Sequence, residues 1–313
     1  MGVSMHNRWK GKKVFISGGA GVIGTALVDQ LLSAGAHLFV GDLKPQPAAW
    51  KSALRYRQGD LASMELEEIR SFSPEIYFHL AATFERSLEN YAFWEENYHH
   101  NVYLSHRLLS QMQELPELKK IVFASSYLVY NPSLYMSREL RPLKETDEAS
   151  PRNLCGMAKF FHERELAFIS SFNQDLQVIS ARIFRSYGKG SRDIISRWIR
   201  SALQGSPLQV YCPEGRFDFI YAEDVATGLK KLAESNFAGV VNLGTGRPRL
   251  IQELLQLLIT HFPGLKTEQV VSQIEVESSA ASMEKFYAAT GWNGFRMLEE
   301  TLPGIIDYER LRI

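Results

Sequence analysis

The 313-residue chain lacks most features that mark secreted, membrane-spanning or nucleic-acid-binding proteins. Its two cysteines, Cys155 and Cys212, are too few for a disulfide framework or a cysteine-rich zinc site. Basic and acidic residues number 35 each, so there is no basic excess of the kind that nucleic-acid binding requires. No apolar run is long enough to span a bilayer, and residues 1–10 lack the apolar core of a signal peptide. These absences predict a cytoplasmic protein with no membrane and no nucleic-acid partner.

The clearest positive feature is a glycine-rich turn between a β-branched stretch and an apolar helical pattern. It reads Ser17-Gly18-Gly19-Ala20-Gly21-Val22-Ile23-Gly24. Gly18 permits a tight turn, Gly21 permits close approach of a pyrophosphate, and Gly24 permits close packing of the helix. Asp42 ends the next predicted strand, at about the ~20-residue distance typical of dinucleotide sites. The pattern predicts a dinucleotide at the positive end of the helix dipole.

Predicted strands and helices alternate up to about residue 184, which favours a doubly wound parallel sheet with helices on both faces, an α/β fold. Beyond that point the alternation loosens. We predict a nucleotide-binding Rossmann domain at 10–184, to which 216–246 return. A smaller, interleaved C-terminal substrate lobe is predicted at 185–215 and 247–313.

Several segments, in this order and spacing, resemble the extended short-chain dehydrogenase/reductases of the nucleotide-sugar epimerase and dehydratase kind. They are residues 18–24, 59–61, 79–82, 101–102, 125–130, 155–159 with Glu163, 218–225 and 242–246. The resemblance implies that the first domain holds NAD(P) and that the lobe holds a nucleoside-diphosphate sugar. It also implies chemistry that begins with removal of a hydride from a sugar carbon.

The cofactor contacts follow from the glycine turn and this resemblance. Asp42 would accept the ribose hydroxyls of adenosine and repel a 2′-phosphate, which favours NAD; the alternative is a solvated carboxylate at a strand end. Asp60 and Leu61 resemble the adenine contacts, although Asp60 also suits a plain turn. The other predicted cofactor residues are Gly18, Gly21, Val22, Ile23, Gly24, Ala81, Ala82 and Lys159.

The predicted catalytic residues are Ser126, Cys155 and Lys159. Ser126 matches the family's Ser/Thr, which hydrogen-bonds the substrate oxygen; a serine satisfied by backbone is the alternative. Cys155 stands where the family has its catalytic tyrosine, with Lys159 one helical turn further on. A thiol ends well short of a phenol oxygen, so we favour a packing role for Cys155. The proton acceptor stays open between Cys155, a neighbouring tyrosine such as Tyr127, and water.

Three arginines are the predicted substrate-binding residues. Arg86 lies in a polar insert that also suits a solvated loop, and Arg185 stands where the family often has asparagine. Arg216 lies one position before the family's usual arginine, where Phe217 stands. Separately, His99, His100 and His106 share a predicted helix; we favour exposed or packing histidines and predict no metal.

The leading interpretation is an NAD-dependent nucleotide-sugar epimerase or related oxidoreductase that acts by transient hydride transfer at a ring carbon. The alternative is a catalytically degenerate protein that binds NAD and a nucleotide sugar, as a sensor or silent subunit. The cysteine at position 155, where the family has its catalytic tyrosine, favours this alternative. A reductase of a non-sugar carbonyl explains residues 218–225 less well. The resemblance also implies a homodimer, paired through the predicted helices at 91–114 and 151–172.

Overall fold

The computed structural model describes residues 8–65, 67–84, 89–270 and 275–313. Its strands, in chain order, are β1 (Lys13–Ser17), β2 (His37–Asp42), β3 (Arg55–Gln58), β4 (Ile76–His79), β5 (Lys120–Ser126), β6 (Arg141–Leu143), β7 (Gln177–Ile183), β8 (Arg185–Tyr187), β9 (Leu208–Val210), β10 (Arg216–Phe217), β11 (Phe219–Tyr221), β12 (Gly239–Leu243), β13 (Arg249–Leu250), β14 (Thr267–Gln269) and β15 (Ser278–Ala281).

The α-helices cover both faces of the main sheet and build much of the smaller lobe. They are α1 (Val22–Ser33), α2 (Glu67–Phe72), α3 (Tyr91–Asn97), α4 (Leu104–Met112), α5 (Leu154–Phe172), α6 (Ile194–Leu203), α7 (Ala222–Glu234), α8 (Ile251–His261), α9 (Glu284–Thr290) and α10 (Leu298–Arg310). Among them, none combines the length and apolar character needed to cross a bilayer.

Seven parallel strands form the central sheet, in the order β12-β7-β5-β4-β1-β2-β3. The strand order reverses between β1 and β4, and in open α/β sheets ligands bind in the crevice at the carboxyl ends of the strands beside such a reversal. The side chains of β1 alternate between two cores: Val14 and Ile16 pack into one, Phe15 into the other. The sheet is therefore buried on both faces, and the predicted Rossmann fold is confirmed.

The predicted helix at 91–114 is interrupted. A π-helical turn, Tyr98–Tyr103, separates α3 from α4. The apolar stripe of α4 is buried against the chain's own sheet; it consists of Leu104, Leu108, Leu109 and Met112. These residues therefore leave no apolar face for a second subunit.

Helix α5 begins later than predicted. Pro151 is not its first residue, because Asn153 is the N-cap and its side-chain oxygen accepts a hydrogen bond from the Gly156 N–H at 2.8 Å. The helix therefore starts at Leu154, which places Cys155 in its first turn.

The C-terminal part of the chain adds one strand to the central sheet and contributes three strands to a second, smaller sheet. Strand β12 pairs with β7 at the edge of the central sheet. Strands β13, β10, β15 and β6 form a separate four-stranded sheet beside it. The division into two interleaved domains remains a prediction.

Candidate functional site

The glycine turn brings three backbone segments into close contact at the sheet reversal. Gly18 has a φ of +77°, and a Cβ there would lie 2.5 Å from the Ala81 nitrogen, just after β4. A Cβ on Gly24 would lie 2.3 Å from the Gly18 carbonyl oxygen. Gly21 caps α1 without a side-chain hydrogen bond, so N–H groups of the first helical turn remain for a ligand. This cradle suits a pyrophosphate, and the backbone of Ala81 lies directly against it.

Asp42 lies beside the same turn. Its Oδ2 accepts a hydrogen bond from the Ala20 N–H at 2.8 Å, and its Oδ1 accepts one from the Lys44 N–H at 2.9 Å. The Lys44 ammonium donates to the Ala20 carbonyl oxygen at 3.2 Å. The carboxylate is thus held at the end of β2, where it can meet the adenosine ribose, with a cation nearby.

Asp60 and Leu61 follow β3 on the same edge of the sheet. Leu61 is buried against Gly41, where a Cβ would lie 2.8 Å from a Leu61 methyl carbon. Asp60 accepts hydrogen bonds from the Ala62 N–H at 2.9 Å and from His99 Nε2 at 2.5 Å. Partial burial opposes ionisation of Asp60, but the hydrogen bonds from His99 and Ala62 outweigh it and lower the pKa of the carboxyl group.

Ser126 and Lys159 are positioned by β5 and α5. Ser126 ends β5, and its Oγ accepts a hydrogen bond from the Leu128 N–H at 3.2 Å. The Lys159 ammonium donates to the Ala124 carbonyl oxygen at 2.7 Å and lies 4.7 Å from the centre of the Phe123 ring. Burial lowers the pKa of Lys159 to about 8, against the opposing influence of Cys155 and Glu163. An amine with this pKa is partly neutral near pH 7 and can exchange a proton.

Cys155 is built into a network of buried amide groups. Its side chain is 5% exposed, and its Sγ lies 3.8 Å from both the Thr83 carbonyl oxygen and Asn101 Nδ2. Asn101 lies in the π-helical turn; its Oδ1 also accepts from the Thr83 N–H at 2.8 Å, and its Nδ2 donates to Asn97 Oδ1 at 2.7 Å. The thiol thus joins α5 to the π-helical turn and to the segment after β4.

Behind Lys159, a buried ion pair fixes α5 on the sheet. Glu163 accepts two hydrogen bonds from Arg182 of β7, at 2.8 and 3.1 Å, and one from Ser125 Oγ at 2.5 Å. Because Ser125 precedes Ser126 directly, this contact helps to fix the strand end that presents the predicted catalytic serine.

Sequence reasoning named Arg185 and Tyr127 separately but missed that both contact Glu277, on the lobe side of the crevice. Glu277 Oε2 accepts hydrogen bonds from Arg152 at 3.1 Å and Arg185 at 3.0 Å, while Oε1 accepts from the Tyr127 hydroxyl at 2.8 Å and from Ser279 Oγ at 3.0 Å. Burial opposes ionisation of Glu277, but the two guanidinium groups outweigh it and lower the pKa of the carboxyl group. The Tyr127 phenol therefore points to Glu277. Arg185 and Tyr127 are named in the sequence analysis, whereas no local signal indicates the rest of this cluster, which is Arg152, Glu277 and Ser279.

The other two predicted substrate arginines have less structural support. Arg216 lies on β10, and within the described ranges its side chain makes no ion pair. Arg86 lies outside the described residues. Asp218 has a structural role: it is buried and accepts hydrogen bonds from the Thr245, Gly246 and Ala281 N–H groups. It thereby fixes the turn that follows β12.

The family can now be assigned by comparison with known proteins. Residues 14–244, well over half of the chain, match the model of the NAD dependent epimerase/dehydratase family. The chain belongs to this family. The extended short-chain dehydrogenase/reductase resemblance and the NAD cofactor are thereby confirmed.

Individual proteins of known name also align with most of the chain. UDP-glucuronic acid decarboxylase 1 of Danio rerio is 26% identical over 314 residues, covering 95% of this chain and 72% of that protein. A putative UDP-glucose 4-epimerase of Methanocaldococcus jannaschii is 26% identical over 271 residues, covering 82% of this chain and 84% of that protein. The structure of MoeE5 in complex with UDP-glucuronic acid and NAD is 28% identical with a TM-score of 0.84, covering 96% of this chain and all of MoeE5.

None of these comparisons tests individual residues. The roles of Ser126, Cys155 and Lys159 remain predictions, as do those of the cofactor- and substrate-binding residues.

Proposed function

We propose that this protein is an NAD-dependent enzyme that acts on a nucleoside-diphosphate sugar at a ring carbon, as an epimerase or a related oxidoreductase. The observation that supports this proposal is that Ser126 ends β5, with Lys159 bonded to Ala124 of that strand, while the glycine cradle follows β1 at the same carboxyl edge of the parallel sheet. NAD supplies, when bound, the acceptor for the sugar's hydride. The relatives named above act on or bind UDP sugars, so UDP-glucose and UDP-glucuronic acid are the first substrates to test.

Within this proposal, Ser126 positions the sugar hydroxyl and the neutral Lys159 amine accepts its proton. Two observations weigh against the Cys155 thiol and the Tyr127 phenol as the proton acceptor, which leaves Lys159 and water. Cys155 is short, buried and already engaged by Asn101 and Thr83. The Tyr127 phenol donates to a buried carboxylate in the lobe. Lys159 combines a pKa lowered to about 8 with a hydrogen bond to the carbonyl oxygen of Ala124, two residues before Ser126 in the same strand.

The test is ultraviolet absorbance in the reduced-nicotinamide band after mixing the NAD-loaded protein with each UDP sugar, with product analysis by NMR. We expect turnover in the unmodified protein and in Cys155→Ala, with rates that differ only a few-fold. A loss of about 10²–10⁴-fold in Cys155→Ala, with NAD affinity intact, would assign the proton transfer to the thiol instead.

The same experiment separates the alternative function. A protein that binds NAD and a UDP sugar tightly, yet yields neither a transient absorbance nor a product, is a binding protein. A gain of turnover in Cys155→Tyr would support that alternative, because it would show that the original site is degenerate.

We propose further that the protein is a homodimer paired through α3 and α5. These helices pack against each other, and their outer faces carry exposed aromatic side chains, with Phe168 65% and Phe172 75% exposed. The test is light scattering at micromolar concentration. We expect a dimer mass, reduced to a monomer mass by Phe168→Glu and unchanged by Tyr211→Glu, which alters an exposed aromatic residue of the other lobe. A monomer mass for the unmodified protein would refute the dimer.

A cytoplasmic location stays a prediction from the sequence.

A further inference from the structure

Three metal-ligating side chains converge beside the adenosine end of the crevice. Asp60, His99 and His100 each offer one ligand atom, and these atoms all lie within 4.8 Å of one another. The two histidines belong to the π-helical turn Tyr98–Tyr103. Asp60 lies in the turn after β3, 39 positions before His99. All three side chains are partly exposed, so an ion can enter from solvent.

The surroundings already hold these groups in place. Asp60 Oδ1 accepts a hydrogen bond from the Ala62 N–H, whereas Oδ2 faces His99 and also accepts a hydrogen bond from the Ser63 hydroxyl at 3.4 Å. The imidazole rings of His99 and His100 meet edge to face, with their centres 4.8 Å apart. Ligand atoms around a tetrahedral zinc ion lie about 3.3 Å apart. Here the three atoms lie within 4.8 Å of one another and the Asp60–His99 pair is 2.5 Å apart, so side-chain rotation must widen this pair to admit the ion.

The donor set selects the kind of ion. Two imidazoles and one carboxylate suit zinc, which takes four ligands and keeps a water where the protein supplies three. Magnesium prefers oxygen ligands and octahedral geometry, so it is a poor match.

We propose that Asp60, His99 and His100 form a zinc-binding site, separate from the groups assigned to hydride and proton transfer. Zinc takes Asp60 Oδ2 from His99 and binds one nitrogen of each histidine. Asp60 is also the residue expected to meet the adenine of NAD. Zinc and NAD therefore compete for one carboxylate, and zinc weakens cofactor binding.

The first experiment is a calorimetric Zn²⁺ titration of chelator-treated protein without a polyhistidine tag. We expect about one equivalent to bind and Mg²⁺ not to compete. Removing a residue that only supports a metal ligand typically costs about 10–100-fold in affinity, so His100→Ala and Asp60→Asn should each lose at least tenfold. His261→Ala, which removes an exposed histidine at the end of α8, should bind like the unmodified protein.

Unchanged zinc affinity in both His100→Ala and Asp60→Asn would overturn the site, as would the absence of any binding at millimolar Zn²⁺. Thermal unfolding checks that each variant is folded. Because the two substitutions lie in different segments of the chain, a local structural defect in one variant would not affect the other.

The second experiment measures NAD affinity with and without saturating Zn²⁺. We expect at least a tenfold loss in the unmodified protein and none in His100→Ala. Unchanged NAD affinity in the zinc-loaded protein would overturn the shared use of Asp60. The NAD measurement rests on the proposed contact between Asp60 and adenine, whereas the zinc titration does not. A failure of the zinc site can therefore be distinguished from a failure of the proposed cofactor contact. Neither experiment requires turnover of a sugar.

Discussion

Gly156 packs directly against the backbone of Leu128. A Cβ at position 156 would lie 2.4 Å from the Leu128 carbonyl oxygen. This contact seats the first turn of α5 on the short 3₁₀ turn that follows Ser126. The positions of Cys155 and Lys159 relative to β5 therefore depend on a glycine that carries no chemistry of its own.

Gly156→Ala should consequently lower both stability and turnover. The new methyl group meets backbone atoms that cannot rotate away, so α5 must shift, at a cost of about 1–3 kcal/mol in the free energy of unfolding. Urea denaturation measures this loss. Gly304→Ala is the control, because that glycine lies inside α10, where a Cβ would have its nearest neighbour 3.9 Å away at the Lys189 side chain, and alanine favours helix. Equal stability of the two variants would refute the packing argument.

The residues whose positions in the fold the sequence predicted correctly are those that local geometry determines. The glycine turn, Asp42 and Ser126 sit at the ends of strands that the apolar pattern already revealed. Their placement needs only a parallel sheet and its short loops.

The residues that the sequence missed depend on contacts between distant segments. Glu277 has no motif, and its importance arises because the lobe folds back onto Arg152 and Arg185. The pairing of Asp60 with His99 depends on the π-helical turn, which no periodicity in 91–114 indicated. Such contacts are set by tertiary packing, which overrides local pattern.

Asp42 should determine the choice of cofactor. Its carboxylate is held beside the glycine turn, so a 2′-phosphate would meet a fixed negative charge. We expect calorimetry to give an affinity for NAD at least about tenfold higher than for NADP, equivalent to ~1.4 kcal/mol. Asp42→Ala should lose this preference, while Asp307→Ala, an exposed carboxylate on α10, should keep it. Equal affinities in the unmodified protein would contradict the argument.

Glu277 should stabilise the folded protein in a pH-dependent way. Glu277→Gln leaves Arg152 and Arg185 without their shared carboxylate, and both guanidinium groups still reach solvent, so the expected loss is about 1–3 kcal/mol at pH 7. The pKa of Glu277 is lowered by folding, so its contribution is complete above the unfolded value of about 4.3 and falls as pH drops below it.

The measurement is the difference in free energy of unfolding between the unmodified protein and Glu277→Gln, from urea denaturation between pH 7 and pH 3. We expect the difference to shrink as the solution becomes more acidic. Glu253→Gln, in an exposed i,i+4 pair with Arg249, should change stability by less than about 1 kcal/mol. A difference that stays constant down to pH 3 would show that the charge of Glu277 is not what stabilises the cluster.

The pH profile of turnover should identify the proton acceptor. If the neutral Lys159 amine accepts the proton, kcat/KM should rise as pH increases through about 8, because the ammonium form, which cannot accept, gives way to the amine. Lys159→Arg keeps a positive charge and hydrogen-bond donors, yet it cannot lose its proton in this range. We therefore expect NAD affinity to fall only a few-fold, while turnover falls by about 10²–10⁴-fold and the rise near pH 8 disappears. Lys266→Arg, at an exposed position before β14, should leave the profile unchanged. A Lys159→Arg protein that retains both its rate and the rise near pH 8 would place the titrating group elsewhere, and Lys159 would then serve only to bind NAD.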